Sequence, residues 1–152
     1  MPQNARETLV GTADGVTRFT ESGENWRRGT IVERVVQSAA AKGPLKQKLP
    51  PNAFVTYWDV KNITALTLTT ANSIALGTSA DPNAIGELDS ITTTIAATNS
   101  GATTVTRLSR DAESDLVITS TNGSGAETGD WAGTVDVVIH FIQFQGAGQS
   151  LP

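Results

Sequence analysis

A chain of 152 residues without a single cysteine has the length of one domain able to bury roughly 68–70% of its unfolded surface. Disulfide frameworks and thiolate metal sites are excluded, and folding in a reducing compartment fits. The formal charge of −4 excludes a chain-wide nucleic-acid surface, which needs Lys and Arg clustered on one face.

The opening MPQNARETLVGTADG has neither the cationic start nor the apolar block of a signal peptide, and no apolar run approaches the ~18–20 residues of a membrane span. A soluble protein that is not routed through a secretion signal is expected. Charge is unevenly placed: residues 1–48 hold eight bases against five acids (+3), residues 49–152 three bases against ten acids (−7). A mildly basic head on an acidic body steers one end toward an acidic surface, unless the head is only a solvated segment. Residues 1–28 are polar and Gly-punctuated, with Leu9, Val10, Val16, Phe19 and Trp26 as their sizeable apolar groups. Such spacing fits an extended arm laid across another surface, its backbone hydrated or augmenting a strand, and equally a disordered tail. The expected division is an N-terminal arm over 1–28 and a β-sandwich domain over 29–152, with 29–48 as strand and linker leading in.

TIVERVVQ follows, where Ile31, Glu33 and Val35 alternate with Val32, Arg34 and Val36, and its β-branched content predicts a strand or bent β-arm. SAAAKGPLKQKLPPNA reads as a linker with room for one helical turn near 38–42, stopped by Gly43-Pro44 and Pro50-Pro51. AFVTYWDV predicts a half-buried strand with Phe54, Thr56, Trp58 and Val60 on one face, Val55, Tyr57 and Asp59 on the other. ITALTLTT, SIALG, SITTTIAA, TTVTRLS, DLVITSTN and GTVDVVIHFIQF continue the theme. These runs are separated by Gly, Asn, Asp and Ser at roughly 8–12-residue spacing, the pattern of an antiparallel sandwich or barrel. The 22 threonines suit solvent-facing sheet positions, and no segment holds a long 3.6-residue period. All-β is the expected class, with helical turns at most over 82–88 and 38–42. The last strand is apolar on both faces: Val135, Val137, Ile139 and Phe141 on one, Val138, Ile142 and Phe144 beside Asp136 and His140 on the other. A central strand or a subunit contact has this character.

Catalytic signatures are missing from these runs. His140, the single histidine, sits mid-strand with no nucleophile motif beside it, so a packed or interfacial role is expected. DPNAIGELDSIT resembles a calcium loop through Asp81, Asn83 and Gly86, but Ile85 and Thr92 stand where ligands are needed; an oxygen cage drawing on Asp81, Glu87 or Asp89 is the alternative. TNGSGAETGDWAGT lacks the phosphate-loop pattern and reads as a flexible hairpin loop. DAESD, with Asp111, Glu113 and Asp115, reads as a solvated turn rather than a glycosidase pair. Trp26, Trp58 and Trp131 read as core or interface anchors, with a sugar-stacking platform as the alternative. No enzyme, catalytic site, cofactor or metal is expected.

Residues 49–87, LPPNAFVTYWDVKNITALTLTTANSIALGTSADPNAIGE, together with the Gly-initiated closing run GTVDVVIHFIQF, resemble small structural proteins of tailed bacteriophages. The matching positions are Leu49, Pro50 and Ala53, the corner from Ala75 to Pro82, and the strand from Gly133 to Phe144. The likeness covers about two-thirds of the chain and is one of turns and strands. It implies a jelly-roll-like β-sandwich of the capsid decoration or cement type: a non-enzymatic virion protein, assembled in the host cytoplasm. Such a protein binds the major capsid protein on the outer shell, often as a homotrimer, with neither nucleic acid nor membrane as partner. Under that implication the arm docks through Trp26, Arg27 and Arg28, with Arg18 and Phe19 beside them, because Trp and Arg carry interface energy most often. A receptor- or glycan-binding knob or fibre, or another minor virion protein, is the alternative. In all of these the run SIALGTSADPNAIGELDS is a sandwich corner: a strand, a turn at Gly77 and Asp81-Pro82, and a short helical return burying Ile85 and Leu88.

Overall fold

The computed structural model describes residues 7–12, 15–21, 26–68, 73–88, 106–109, 111–122 and 126–144, with the backbone alone for 7–12, 15–21, 26, 62, 106 and 107. Ten strands account for it: β1 (Glu7–Thr12), β2 (Gly15–Glu21), β3 (Trp26–Ala40), β4 (Lys42–Pro44), β5 (Ala53–Leu68), β6 (Ser73–Gly77), β7 (Gly86–Leu88), β8 (Thr106–Arg107), β9 (Val117–Thr121) and β10 (Trp131–Phe144). The described residues contain no helix. The strands build an antiparallel β-sandwich of a six-stranded sheet, β1-β2-β3-β10-β5-β8, and a four-stranded sheet, β4-β9-β6-β7.

The pairing is nested. β3 pairs with β10, β4 with β9, β5 with β8 and β6 with β7, all antiparallel. From β3 to β10 the described strands pair in the order of one long hairpin folded into two sheets.

Alternation places β3 as the sequence predicts: Ile31, Glu33 and Val35 are buried, Val32, Arg34 and Val36 exposed. β5 departs from it. The two expected strands AFVTYWDV and ITALTLTT are one 16-residue strand, and the buried residues run Ala53, Val55, then Trp58, Val60. Its register with β10 explains the change. His140 faces Tyr57 while Phe141 faces Val55, so Thr56 is an extra residue, and two further shifts follow between Ala132 and Asp136. A β-bulge puts two residues opposite one and reverses the phase of everything beyond it. Phe54 and Thr56 therefore do not share a face with Trp58 and Val60. Ala65 takes φ 51° in the last of these irregularities, and Gly133 lies against it. A Cβ on Gly133 would sit 2.8 Å from Leu66 Cα and 3.0 Å from the Ala65 carbonyl oxygen.

No helical turn forms over 38–42, and over 82–88 there is only a single hydrogen-bonded turn at 82–83, Ala84 N donating to the Asp81 carbonyl at 3.2 Å, before the chain becomes strand. β3 runs on to Ala40, with a bulge at Ala39 (φ 95°), and the Gln37 amide donates to the carbonyls of Ala40 and Lys42 at 3.0 and 2.8 Å. Those bonds, with pairing to β10, satisfy the backbone that a helical turn would have used. At the corner, Thr78 N donates to the Asp81 carbonyl (2.8 Å) and Asp81 N to Thr78 Oγ1 (3.1 Å). The chain then returns as β7, because Ile85 N bonds the Leu76 carbonyl and residues 86–88 pair with β6. Ile85 and Leu88 are buried as expected. The expected strand SITTTIAA lies outside the described residues.

Residues 1–28 were expected as an arm. From Glu7 to Glu21 the backbone is a hairpin, β1 on β2, and β2 pairs with β3 from Gly15↔Glu33 to Glu21↔Arg27. Asp14-Gly15 between β-branched runs is a hairpin signal, and pairing on β3 satisfies the peptide groups of β2. The sheet's first long strand thus opens at Trp26, ahead of residue 29.

The core lies between the sheets. Trp58, Trp131 and Phe141, each at most 1% exposed, meet Ile74, Leu76 and Ile118 of the smaller sheet, with Leu49 and Leu116 closing one end. Burying each such aliphatic or phenyl side chain contributes roughly 1.5–3 kcal/mol.

Candidate functional site

Three strands, β3, β10 and β5, present a broad face away from the core, and their register arranges it in rows. Across the sheet these read Arg28, Ile142, Phe54; Thr30, His140, Tyr57; Val32, Val138, Asp59; Arg34, Asp136, Lys61; and Val36, Thr134, Thr64. Val32 at 44% and Val36 at 70% are the exposed large apolar side chains of the described residues. Paired residues on one face of a sheet lie close enough for side chains to interact, and two rows hold a polar network.

In the first, His140 Nδ1 and Thr30 Oγ1 are 3.0 Å apart, and the imidazole meets the Tyr57 ring at a centroid distance of 5.5 Å and a 42° tilt. The Tyr57 hydroxyl donates to Asp59 Oδ2 at 3.2 Å, and Asp59, buried at 4% exposure, accepts a second bond from the Val60 amide at 2.8 Å. Burial, then the charge and hydrogen bond of Asp59, push the Tyr57 hydroxyl above its ordinary pKa. In the second, Arg34 Nε and Nη2 grip Asp136 at 2.7 and 3.0 Å, a bidentate fork. That hydrogen bond, and then the opposite charge, raise the Arg34 pKa above its usual value. Both rows fix polar side chains on the outer side of the sheet. Among the described residues the partners given to the His140 ring are Thr30 and Tyr57, neither of them a carboxylate that would orient an imidazole as a general base.

The expected contact residues gather at one corner of this sheet. Arg18 faces Thr30 and Phe19 faces Gly29 from β2, while Trp26, Arg27 and Arg28 open β3 opposite Phe144, Gln143 and Ile142. Arg28 is exposed. Arg27 is not: at 5% exposure it points to the inner side, because alternation in β3 sends residues 27, 29 and 31 inward. The side chains of Arg18, Phe19 and Trp26 lie outside the described residues. Gly29 is required at this corner, since a Cβ there would lie 2.2 Å from Phe141 Cζ.

Other candidates are dispersed. Asp81 is exposed in the corner and Glu87 accepts a hydrogen bond from Thr121 Oγ1 on the smaller sheet; Asp89 lies outside the described residues. Asp111 and Glu113 are exposed and Asp115 pairs with Lys48 at 3.1 Å. Among the described residues no three His, Asp or Glu side chains form a metal-binding group. Trp58 and Trp131 are core residues, 0% and 1% exposed, and present no ring face on which a sugar could stack.

Compared with known proteins, the chain matches no family model, no curated protein and no solved structure. Sequence reasoning had placed the candidate residues in an arm. The alternations Val32, Arg34, Val36 and Asp136, Val138, His140 were read as strand faces, but not the register that sets them side by side on one outer surface.

Proposed function

We propose that this protein is a non-enzymatic virion component of the capsid decoration or cement type, binding the major capsid protein on the outer shell. The observation that carries the reading is the nested strand order: β3·β10, β4·β9, β5·β8 and β6·β7 in two facing sheets. Within the six- and four-stranded sheets that order is the one a jelly roll requires, and it supports reading the sandwich as that architecture, which is frequent in viral capsid and lectin domains. The strand-and-corner resemblance to tailed-phage structural proteins points the same way. An outer face that carries the Arg34–Asp136 ion pair and the exposed Val32 and Val36 suits adhesion across a seam between subunits, where many weak copies act together. Arg28 at the sheet corner, with Arg18, Phe19 and Trp26 in neighbouring register, is the docking site of this reading, and Arg27 drops out as a surface contact.

The test is co-sedimentation with empty shells assembled from the major capsid protein of the phage that encodes it. Wild type is expected to pellet at fixed stoichiometry, and Arg28→Ala with Trp26→Ala to weaken binding by at least ~10-fold, as loss of one to two interface anchors does. Failure of wild type to bind shells, or binding by the isolated protein to a host glycan instead, would overturn the reading.

A further inference from the structure

We propose that β1 is a self-pairing edge through which two copies of this chain join antiparallel, carrying the six-stranded sheet across a two-fold axis. The two sheets have four edges: β1 and β8 in one, β4 and β7 in the other. Three are blunted. β8 spans two residues, β7 three, and β4 three with Pro44 at its end. Short strands and proline are the usual defences of a sheet edge. β1 has neither. Its six residues, ETLVGT, pair with β2 in unbroken register from Glu7↔Thr20 to Thr12↔Gly15, with no proline, lysine or bulge. Alternate residues of an antiparallel strand direct N–H and C=O away from the paired neighbour, so β1 carries a second ladder's donors and acceptors. Among the described residues no strand takes them.

The occupant is a second copy because the strand is complementary to itself. A two-fold axis normal to the sheet sets a residue opposite its own copy. Centred on Leu9 it pairs Leu9 with Leu9, Thr8 with Val10 and Glu7 with Gly11; centred on Val10 it pairs Val10 with Val10, Leu9 with Gly11 and Thr8 with Thr12. In neither register does Glu7, the strand's one charge, meet its own copy, and like charges directly opposite are what destabilise such pairs. The neutral interior of the strand gives a charged foreign segment nothing to pair with. An isologous contact closes at two copies. The threefold grouping implied by the phage resemblance cannot be built on this edge, and self-pairing stands whether or not the protein binds a shell.

The test uses the full chain in solution. Sedimentation equilibrium is expected to give twice the 15.9 kDa monomer mass. The chain contains no cysteine, so Leu9→Cys and Val10→Cys each supply a sole thiol. Opposed Cα atoms at about 4.5–5.5 Å suit a disulfide, and oxidation with copper phenanthroline is expected to cross-link the variant whose residue lies on the axis. Leu9→Pro and Val10→Pro remove adjacent N–H groups that face opposite edges. The one facing outward is expected to raise the dimer dissociation constant by at least ~10-fold with the β-sheet circular dichroism retained. If both proline variants unfold, mass and cross-linking decide. A monomer, a trimer, or a dimer in which neither cysteine cross-links overturns the proposal.

Discussion

Two buried carboxylates show how single residues hold this sandwich. Glu33 points inward from β3 at 2% exposure, and its two oxygens accept the Lys46 and Gln47 amides at 2.6 and 3.0 Å. It fixes the segment that leads toward Leu49 and the core. Hydrogen bonds to a charged group are worth about 1.5–3 kcal/mol, and amides left buried without them cost about as much. Glu33→Ala should therefore lower unfolding stability by about 3 kcal/mol in a urea titration, with Glu33→Gln retaining part of it; an unchanged midpoint would show that water replaces the carboxylate. Asp59 acts on a titration instead. Tyr57 is the chain's single tyrosine, and its pKa is raised first by burial and then by Asp59. A raised folded value means that the phenol adds stability at pH below its unfolded pKa of about 10, and loses it as pH rises through the folded value. Absorbance at the tyrosinate band should show a midpoint above that of free tyrosine. Asp59→Asn should bring it part of the way back, leaving the share due to burial.

At the scale of the element, β5 and β10 decide the shape of the large sheet. Three extra residues on β5, one at each register shift, bend and twist the strand against its partner, since a bulge raises the local twist. Gly133 permits the tightest approach: its φ of 133° and its contact with residues 65 and 66 both exclude a side chain. Gly129 also has a positive φ, 112°, but nothing lies within 4 Å of a Cβ there. Gly133→Ala should cost about 2 kcal/mol or more, and Gly129→Ala about 1, because strained backbone accounts for the second and strain plus collision for the first. Equal costs in thermal denaturation would show that the bulge yields to the methyl group. The same pair of strands marks the limit of sequence reading. β3 was legible, since one uninterrupted alternation sorts Ile31, Glu33 and Val35 from Val32, Arg34 and Val36. β5 was legible as strand but not in its faces, because the extra residue at Thr56 depends on pairing with β10, 84 residues away in the contact between Thr56 and His140, and no local pattern encodes it. The hairpin of residues 7–21 was not read from the sequence, although Asp14-Gly15 carries its turn signal. At the candidate site, Arg28 was legible as a surface cation, while the inward turn of Arg27 follows from the phase of a strand that begins at residue 26.

For the molecule as a whole, nesting makes cooperativity a consequence of topology. β3 cannot leave the sheet without releasing β10, which also holds β5, and the bidentate pair of Arg34 and Asp136 ties residues 102 apart in sequence. Non-local pairing of this kind places folding in the millisecond-to-second range, because chain entropy is lost before the contacts form. β1 and β2 stand outside the nest, paired with each other and with the edge of β3 alone. Deleting residues 1–21 should accordingly leave the eight nested strands, their sheet-type circular dichroism and a single cooperative unfolding transition. The same deletion should abolish the dimer paired through β1, because the edge that joins the two copies goes with it. Refolding of the shortened chain should match the full chain within about threefold, since relative contact order, which governs the rate, resides in the strands that remain. A broad transition with dye-binding apolar surface, the mark of lost packing, would mean instead that the hairpin completes the core, and the division between nest and appendage would fail.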